Sequence, residues 1–231
     1  MKVLQPNQVS NHSGAWSIHR TAQLVDFSNR VTCKIARNHL ERNAIFKLRY
    51  RSYLRAGIIS ENFFERHIEA ADHMRNSYLM GLYVDRKLVS SFRVQIGSAT
   101  TPNFSLYELF PHVLEPLLRS NKTIVDMSCV ATDGELGRSQ SYDLLPYVVL
   151  RSWIIAAEHF NADYIAAAVQ PKHQIFYTRA LGCDQHSEVK PHHLTSVGLV
   201  TLDFANSAER VYENLPFLRS TPHARMEGRA A

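Results

Sequence analysis

Apolar positions along this chain follow two spacings, of about 3.6 and about two residues, which indicate helices and strands respectively. Short alternating or apolar segments predict strands at 31–36, 78–84, 88–96, 124–131, 164–169 and 197–204. Longer segments with helical spacing predict helices at 41–56, 62–74, 105–118, 144–160 and 171–181. This order predicts an α/β or α+β fold in which helices flank a mixed central sheet.

Several helix ends carry local signals. Ser105 and Asp143 are candidate caps, and Pro146 falls in a first helical turn, where a missing amide hydrogen costs little. Pro111 marks a kink or a boundary in the helix over 105–118, and Gly182 ends the helix that begins at residue 171. Residues 85–87 separate two strand segments, which predicts an antiparallel hairpin there.

The length and composition indicate one folded domain. With 231 residues and 45% hydrophobic content, the chain can bury one substantial core, which we place at 31–215. Residues 1–30 are predicted to form a loose lead-in or a short covering helix, and residues 216–231 a mobile tail. The first 20 residues lack a secretory apolar run, and no segment approaches the roughly 20 apolar residues of a membrane span. We therefore expect a cytoplasmic protein with no integral membrane segment.

Charge and cysteine content exclude some classes of protein. The three cysteines are widely spaced, so neither a disulfide framework nor a zinc site is indicated. The net charge of +5 comes from scattered lysines and arginines without a dense basic run. We therefore predict no nucleic-acid partner. The excess of positive charge is consistent with an acidic protein partner or an anionic substrate.

Four short motifs and the order of elements carry a resemblance to a known family. The motifs are LRYRSYLRAG (48–57), SSFRVQ (90–95), SLYELFP (105–111) and VDMSCVA (125–131). Over residues 31–204 the order of elements resembles the GNAT acyltransferase fold. The motifs resemble the N-acyl amino acid synthases, which are themselves similar to acyl-homoserine lactone synthases. Both groups share an arginine-aromatic first helix and an acid-x-serine strand.

The strand at 124–131 offers an acid and a hydroxyl on one face. In an extended strand alternate side chains share a face. The first set is Asp126, Ser128 and Val130, and the opposite set is Met127, Cys129 and Ala131. Asp126 is the candidate general base that takes a proton from an incoming amine, with Ser128 beside it in the substrate site. The alternative is an aspartate that only holds a loop or an arginine in place.

Further residues are candidates for binding the acceptor. Arg93 can pair with Asp126 or clamp a substrate carboxylate, and the alternative is a plain surface arginine. By the resemblance, Arg49 and Tyr50 correspond to the arginine-aromatic pair and bound the acceptor pocket. Asp72 lies where the lactone synthases keep acidic residues, and otherwise it belongs to a solvated helix face.

The resemblance also implies a site for a thioester donor. Tyr177 lies where acyltransferases of this fold often carry a tyrosine beside the thioester sulfur, which makes it the candidate that protonates the leaving thiolate or hydrogen-bonds to it. The alternative is a half-buried aromatic residue without a catalytic role. The loop after the acid-x-serine strand can present backbone amides to a phosphate, as Gly137 and Ser139 flank Arg138 before a helix. Together with Val130 and Ala131 at the strand end, the predicted donor-binding residues are Val130, Ala131, Gly137, Arg138 and Ser139. The loop departs from the RxxGxG or QxxGxG pattern of acetyl-CoA enzymes, which favours acyl carrier protein over acyl-CoA.

These observations predict an N-acyltransferase that moves a medium- or long-chain fatty acyl group from acyl carrier protein to the α-amino group of an amino acid. The donor substrate is acyl-phosphopantetheine or acyl-CoA, and no metal or permanently bound cofactor is implied. One alternative is an acyl-homoserine lactone synthase, although Cys129 replaces the strand arginine usual in those enzymes. The others are an acetyl-CoA-dependent N-acetyltransferase and a non-catalytic module that binds acyl carriers.

Overall fold

The computed structural model of the protein describes residues 18–134 and 143–219. Within these ranges seven strands form one sheet in the order β1-β2-β3-β4-β5-β7-β6. The strands are β1 (Val31–Ile35), β2 (Ser77–Val84), β3 (Lys87–Gly97), β4 (Ile124–Thr132), β5 (Tyr164–Val169), β6 (Asp184–His192) and β7 (Thr195–Asp203). The helices are α1 (Ile18–Arg30), α2 (His39–Arg55), α3 (Ser105–Leu109), α4 (Pro111–Arg119), α5 (Leu145–His159), α6 (Pro171–Leu181) and α7 (Phe204–Asn214).

The sheet is mixed and has helices on both faces, which confirms the predicted fold class. β4 and β5 run parallel, and the other neighbouring strands run antiparallel. One face, called the α2 face here, is covered by α2, α3 and α4, and Ile124 of β4 packs there with Phe104 and Phe110. The other, called the α5 face, is covered by α1, α5, α6 and α7, and Met127 of β4 packs there in the same cluster as Trp153.

Local sequence signals place most element boundaries. The hairpin of β2 and β3 forms as predicted, and Pro111 separates α3 from α4. Gly182 ends α6 in the left-handed region with φ 74°, a conformation that glycine adopts without steric cost. Two predicted caps are wrong: the N-caps of α3 and α5 are Phe104 and Leu144, neither with a side-chain cap bond. The Ser105 hydroxyl instead donates to Gln95 Oε1 at 2.7 Å.

The predicted helix at 62–74 is wrong. The segment is irregular apart from a short 3-10 helix at Ala70–His73. Phe63 and Phe64 are 94% and 72% exposed, so its largest apolar side chains form no buried stripe that would stabilise a helix. The Asp72 carboxylate instead accepts a hydrogen bond from the Glu69 amide at 2.8 Å. This local side-chain hydrogen bond competes with the backbone bonds of an α-helix in the segment that leads into the 3-10 helix.

Sequence periodicity missed β6 and α7. β6 is an edge strand with polar residues and Pro191, features that edge positions tolerate because one side of the backbone is unpaired. The folded core also extends past both predicted limits. Over the described part of the lead-in, residues 18–30, α1 covers the sheet with Leu24 and Phe27 buried, and Phe217 and Leu218 pack into the same core beyond residue 215. No helix in the described parts is long and apolar enough to span a bilayer.

Candidate active site

A network of buried charges lies on the α2 face of the sheet. Arg49 Nη1 donates to both carboxylate oxygens of Asp72, at 2.8 and 2.9 Å. Arg93 Nη1 donates to Glu69 at 2.8 Å and to Asp72 at 3.2 Å. The side chains of Arg49, Asp72 and Arg93 are at most 1% exposed. Two guanidinium groups and two carboxylates therefore balance one another, and only Glu69, whose side chain is 18% exposed, retains contact with solvent.

This network corrects two alternatives that the sequence left open. Arg93 is not a surface arginine, because β3 directs it beneath α2 and its other donors bind Ser128 Oγ at 3.1 Å and Ser105 Oγ at 3.0 Å. Asp72 is not on a solvated helix face, because it is buried between Arg49 and Arg93. The described structure gives Arg93 no hydrogen bond to Asp126, so the predicted pairing of those two residues is not observed.

A bulge in β4 changes which side chains face the network. Ser128 pairs with Arg93 and Ala131 pairs with Ser91, so β4 has one residue more than β3 between these pairs. Cys129 lies in this bulge with φ 54°. Its thiol donates to Glu69 Oε2 at 3.4 Å, on the α2 face, whereas Val130 is 39% exposed. The predicted alternation is therefore wrong beyond Ser128.

Asp126 is a buried carboxyl group with no well-formed hydrogen bond among the described residues. It faces the α2 side in register with Gln95 and is 1% exposed. Neither of its oxygens has a hydrogen-bonding partner among the described residues. Burial raises the pKa of Asp126 from 3.8 to about 7, although the positive charge of Arg93 and a contact with the Ser128 hydroxyl act against this rise. The group can therefore gain or lose a proton near neutral pH.

The parallel strands β4 and β5 separate next to Asp126. Their pairing covers Ile124–Asp126 of β4 and Tyr164–Ala166 of β5. β4 continues to Thr132 and β5 to Val169 without further pairing between them. An opening between the two strands therefore begins at the position of Asp126, and the bulge at Cys129 lies along its edge.

Tyr177 lies on the opposite face from Asp126. It belongs to α6 and packs against Trp153 of α5 with ring centroids 6.0 Å apart. Trp153 in turn directs its indole nitrogen to the carbonyl of Val125, at 3.4 Å. Burial raises the pKa of Tyr177 to about 12, so the phenol keeps its proton at neutral pH. Asp126 and Tyr177 do not contact each other, and Trp153 lies between Tyr177 and β4.

The other predicted site residues lie in different parts of the structure. Successive residues of a helix project about 100° apart, so Arg49 reaches the network whereas Tyr50 does not. The Tyr50 hydroxyl accepts from the Asn62 amide at 3.4 Å, and its ring lines a separate hollow that also includes Phe63. Ala131 is buried against α2. The predicted donor residues Gly137, Arg138 and Ser139 lie outside the described residues.

Sequence reasoning missed Glu69 and two histidines that contact it. His67 Nε2 and His193 Nε2 lie 3.1 and 3.2 Å from Glu69 Oε1. Burial raises the pKa of Glu69, but hydrogen bonds from His67 and Arg93 outweigh it, so the pKa falls below its usual range. Glu69 could have been suspected from its spacing of three residues before Asp72. His193 carries no such signal, because it is 124 residues away along the chain.

Comparison with known proteins assigns this arrangement to a class. Three solved structures share the fold: FeeM, an N-acyl amino acid synthase from uncultured soil microbes (18% identity, TM-score 0.64); the acyl-homoserine lactone synthase LasI (16%, 0.60); and the CoA-dependent acyl-homoserine lactone synthase BjaI (14%, 0.54). The matches cover 78%, 80% and 87% of this chain and 93%, 95% and 95% of those chains. No curated protein sequence matches the chain significantly.

These neighbours show that the chain has a GNAT-like fold. A family model described as N-acyl amino acid synthase FeeM matches residues 44–203, which include the buried network, the β4 bulge and Tyr177. The chain belongs to the FeeM family of N-acyl amino acid synthases. The family suggested by the four sequence motifs is therefore confirmed.

The buried network makes a testable contribution to stability. Asp72→Asn removes one charge and leaves two buried arginines with a single carboxylate, so we expect the free energy of unfolding to fall by about 3–5 kcal/mol. Chemical denaturation monitored by circular dichroism measures the change. The matched control is Asp85→Asn, which removes an exposed ion pair with Arg30 and should cost less than about 1 kcal/mol. Equal effects of the two variants would contradict a structural role for the network.

The raised pKa of Asp126 predicts a pH dependence of stability. The folded protein holds this proton more tightly than the unfolded chain, so the stabilising contribution is complete below about pH 4 and is lost as the pH rises through about 7. Asp126→Asn stays uncharged throughout. Between about pH 5 and about pH 8, the unfolding free energy of the parent should fall relative to that of Asp126→Asn by up to about 3 kcal/mol. Parallel curves for the two proteins would show that Asp126 does not titrate in this range.

Proposed function

We propose that this protein transfers a medium- or long-chain fatty acyl group from acyl carrier protein to the α-amino group of an amino acid. The amine nitrogen attacks the thioester carbonyl carbon, the carbon–sulfur bond breaks, and the thiolate of phosphopantetheine leaves. No covalent intermediate on the enzyme is needed. Burial raises the pKa of the Cys129 thiol to about 12, so this cysteine is protonated and is a poor nucleophile.

The observation that carries the proposal is the unpartnered Asp126 at the point where β4 and β5 separate. A general base must hold a lone pair that no neighbouring donor occupies, and it must titrate near the working pH. Among the described residues no donor reaches either Asp126 oxygen with full hydrogen-bonding geometry, so a lone pair stays accessible beside the weak contact with the Ser128 hydroxyl, and a pKa of about 7 meets the second condition. In the proposed reaction Asp126 accepts the proton that the attacking ammonium group loses.

Arg49 is the proposed partner for the carboxylate of the acceptor. Among the described residues its Nε and Nη2 groups lack hydrogen-bonding partners, whereas Nη1 is held by Asp72. Nε and Nη2 form the side-on edge of a guanidinium, which suits a carboxylate with two parallel hydrogen bonds. Arg93 is less suited because its Nε, Nη1 and Nη2 groups are all engaged. Because Arg49 is fully buried, binding requires a neighbouring side chain to move aside.

The opening between β4 and β5 is the proposed position of the thioester. Val130 and Ala131 belong to the part of β4 that does not pair with β5, and the loop carrying Gly137, Arg138 and Ser139 follows them along the chain. The thioester in this opening and the amino acid held by Arg49 on the α2 face would then meet near Asp126. Tyr177 lies on the α5 face and keeps its proton, which it would donate to the leaving thiolate. The acyl donor must pass Trp153 to reach it.

Two further functions are supported by specific observations. BjaI is described as a CoA-dependent acyl-homoserine lactone synthase, which favours acyl-CoA as the alternative donor. The structural similarity to LasI keeps lactone synthesis as the alternative product. Against that product, Cys129 contacts Glu69 at the strand position where lactone synthases usually carry an arginine.

The first test is mass spectrometry of lipid extracts from cells that express the protein. We expect new N-acyl amino acids, whose masses identify acceptor and chain length. Asp126→Asn should reduce their amount at least about 100-fold, because a general base contributes about that much to a rate. Asp85→Asn, an exposed aspartate, serves as the matched control and should leave the products unchanged. Acyl-homoserine lactones in place of N-acyl amino acids would overturn the proposed acceptor.

The donor is tested with purified protein and one acyl chain presented in two forms. We expect faster turnover with the acyl group on acyl carrier protein than on coenzyme A at the same concentration, because an acidic carrier complements the net charge of +5. Raising the salt concentration should reduce the difference between the two donors by screening the attraction. A preference for acyl-CoA that is independent of salt would contradict the proposed donor.

A further inference from the structure

We propose that His67, Glu69 and His193 form a binding site for a divalent transition metal, with Zn²⁺ as the best fit. These three residues converge from the irregular segment before the short 3-10 helix and from the tip of the β6–β7 hairpin. Nothing in the acyl-transfer proposal uses the two histidines, so the metal site does not rest on that proposal.

The distances among the ligand atoms suit one bound ion. Nε2 of His67 and Nε2 of His193 lie 3.1 and 3.2 Å from Glu69 Oε1, and all three ligand atoms lie within 4.8 Å of one another. Bonds of about 2.0–2.2 Å around a tetrahedral zinc ion separate neighbouring ligand atoms by about 3.4 Å. The separations of 3.1 and 3.2 Å are close to this spacing.

The carboxylate is held in place by groups that leave one oxygen for a metal. Glu69 Oε2 accepts from Arg93 at 2.8 Å and from the Cys129 thiol at 3.4 Å. Oε1 is contacted by the two imidazoles. Partners that bind the second atom of a ligand fix its orientation and raise metal affinity. Arg93 neutralises only part of the negative charge of Glu69. The remaining charge can attract a dication bound at Oε1.

Both histidines are also positioned before any metal binds. The His67 amide donates to the Phe46 carbonyl at 3.1 Å, and its ring packs on Tyr53 with centroids 5.1 Å apart. The hairpin tip that carries His193 is attached to the segment after α2, since the Leu194 amide donates to the Ile58 carbonyl at 3.1 Å. Little conformational entropy is then lost on binding.

The ligand types select the metal and leave a free position. Two imidazoles and one carboxylate form a set found in catalytic zinc sites, where a fourth position holds water or substrate. Nitrogen ligands favour Zn²⁺ and its transition-metal neighbours over Mg²⁺ and Ca²⁺. The His193 side chain is 28% exposed, so the fourth position can face solvent. A carboxylate from a small molecule could bind there.

Isothermal titration of the full chain, freed of metal with a chelator, tests the proposal. We expect one Zn²⁺ per chain, with affinity at least about tenfold weaker in His67→Ala and in His193→Ala, since loss of even a supporting group costs about that much. The matched control is His186→Ala on β6, a residue that contacts Thr201 and not Glu69, and its affinity should equal that of the parent. A parent without a stoichiometric site, or equal affinity in all four proteins, would overturn the proposal.

Cobalt substitution gives a second readout that does not depend on activity. Co²⁺ bound by two imidazoles and a carboxylate should produce visible absorption bands in the parent and in His186→Ala. These bands should be absent in His193→Ala, which changes a partly exposed residue at a hairpin tip and should preserve the fold. Bands that persist in His193→Ala would place any metal elsewhere. Bands absent from the parent would show that the two imidazoles only donate hydrogen bonds to Glu69.

Discussion

The mutual neutralisation of buried charges is the interaction on which the α2 face of this protein depends. Arg49 comes from α2, Arg93 from β3, and Glu69 and Asp72 from the irregular segment between them. Each charge loses its hydration on burial, and the loss is offset only when its partners are in place. α2, the 3-10 turn and β3 must therefore assemble together. The same interaction explains why a segment rich in polar residues is held against the sheet without forming a helix.

The bulge in β4 links this network to the opening in the sheet. One extra residue turns the Cys129 thiol toward Glu69 and reverses the facing of the residues that follow. Pairing with β5 ends at Asp126, just before the bulge. A regular β4 would keep Cys129 away from the α2 face. The bulge therefore adds the Cys129 contact to the charge network and lies beside the point where the pairing of β4 with β5 ends.

The low sequence identities to FeeM and the lactone synthases show that the fold tolerates many different side chains. At 14–18% identity most aligned side chains differ from those of the three neighbours, yet the fold is retained. In this chain two histidines contact Glu69: His67 from the same irregular segment and His193 from the tip of the β6–β7 hairpin. The hairpin tip thus contacts the α2 face from the far side of the opening. Family membership alone does not describe this contact.

The amino-acid sequence by itself determined the strands with strong apolar patterns, the helix boundaries at Pro111 and Gly182, and the family resemblance. These features depend on residues within a few positions of one another, so they can be read locally. The polar edge strand β6 and the irregular segment at 62–74 escaped prediction because tertiary pairing decides them.

Only the tertiary structure decided that Arg93 and Asp72 are buried, that Cys129 faces Glu69, and that His193 meets His67. It also placed Asp126 and Tyr177 on opposite faces of the sheet. The physical reason is that desolvation and ion pairing depend on which distant segments meet in space, and residue spacing along the chain does not contain that information.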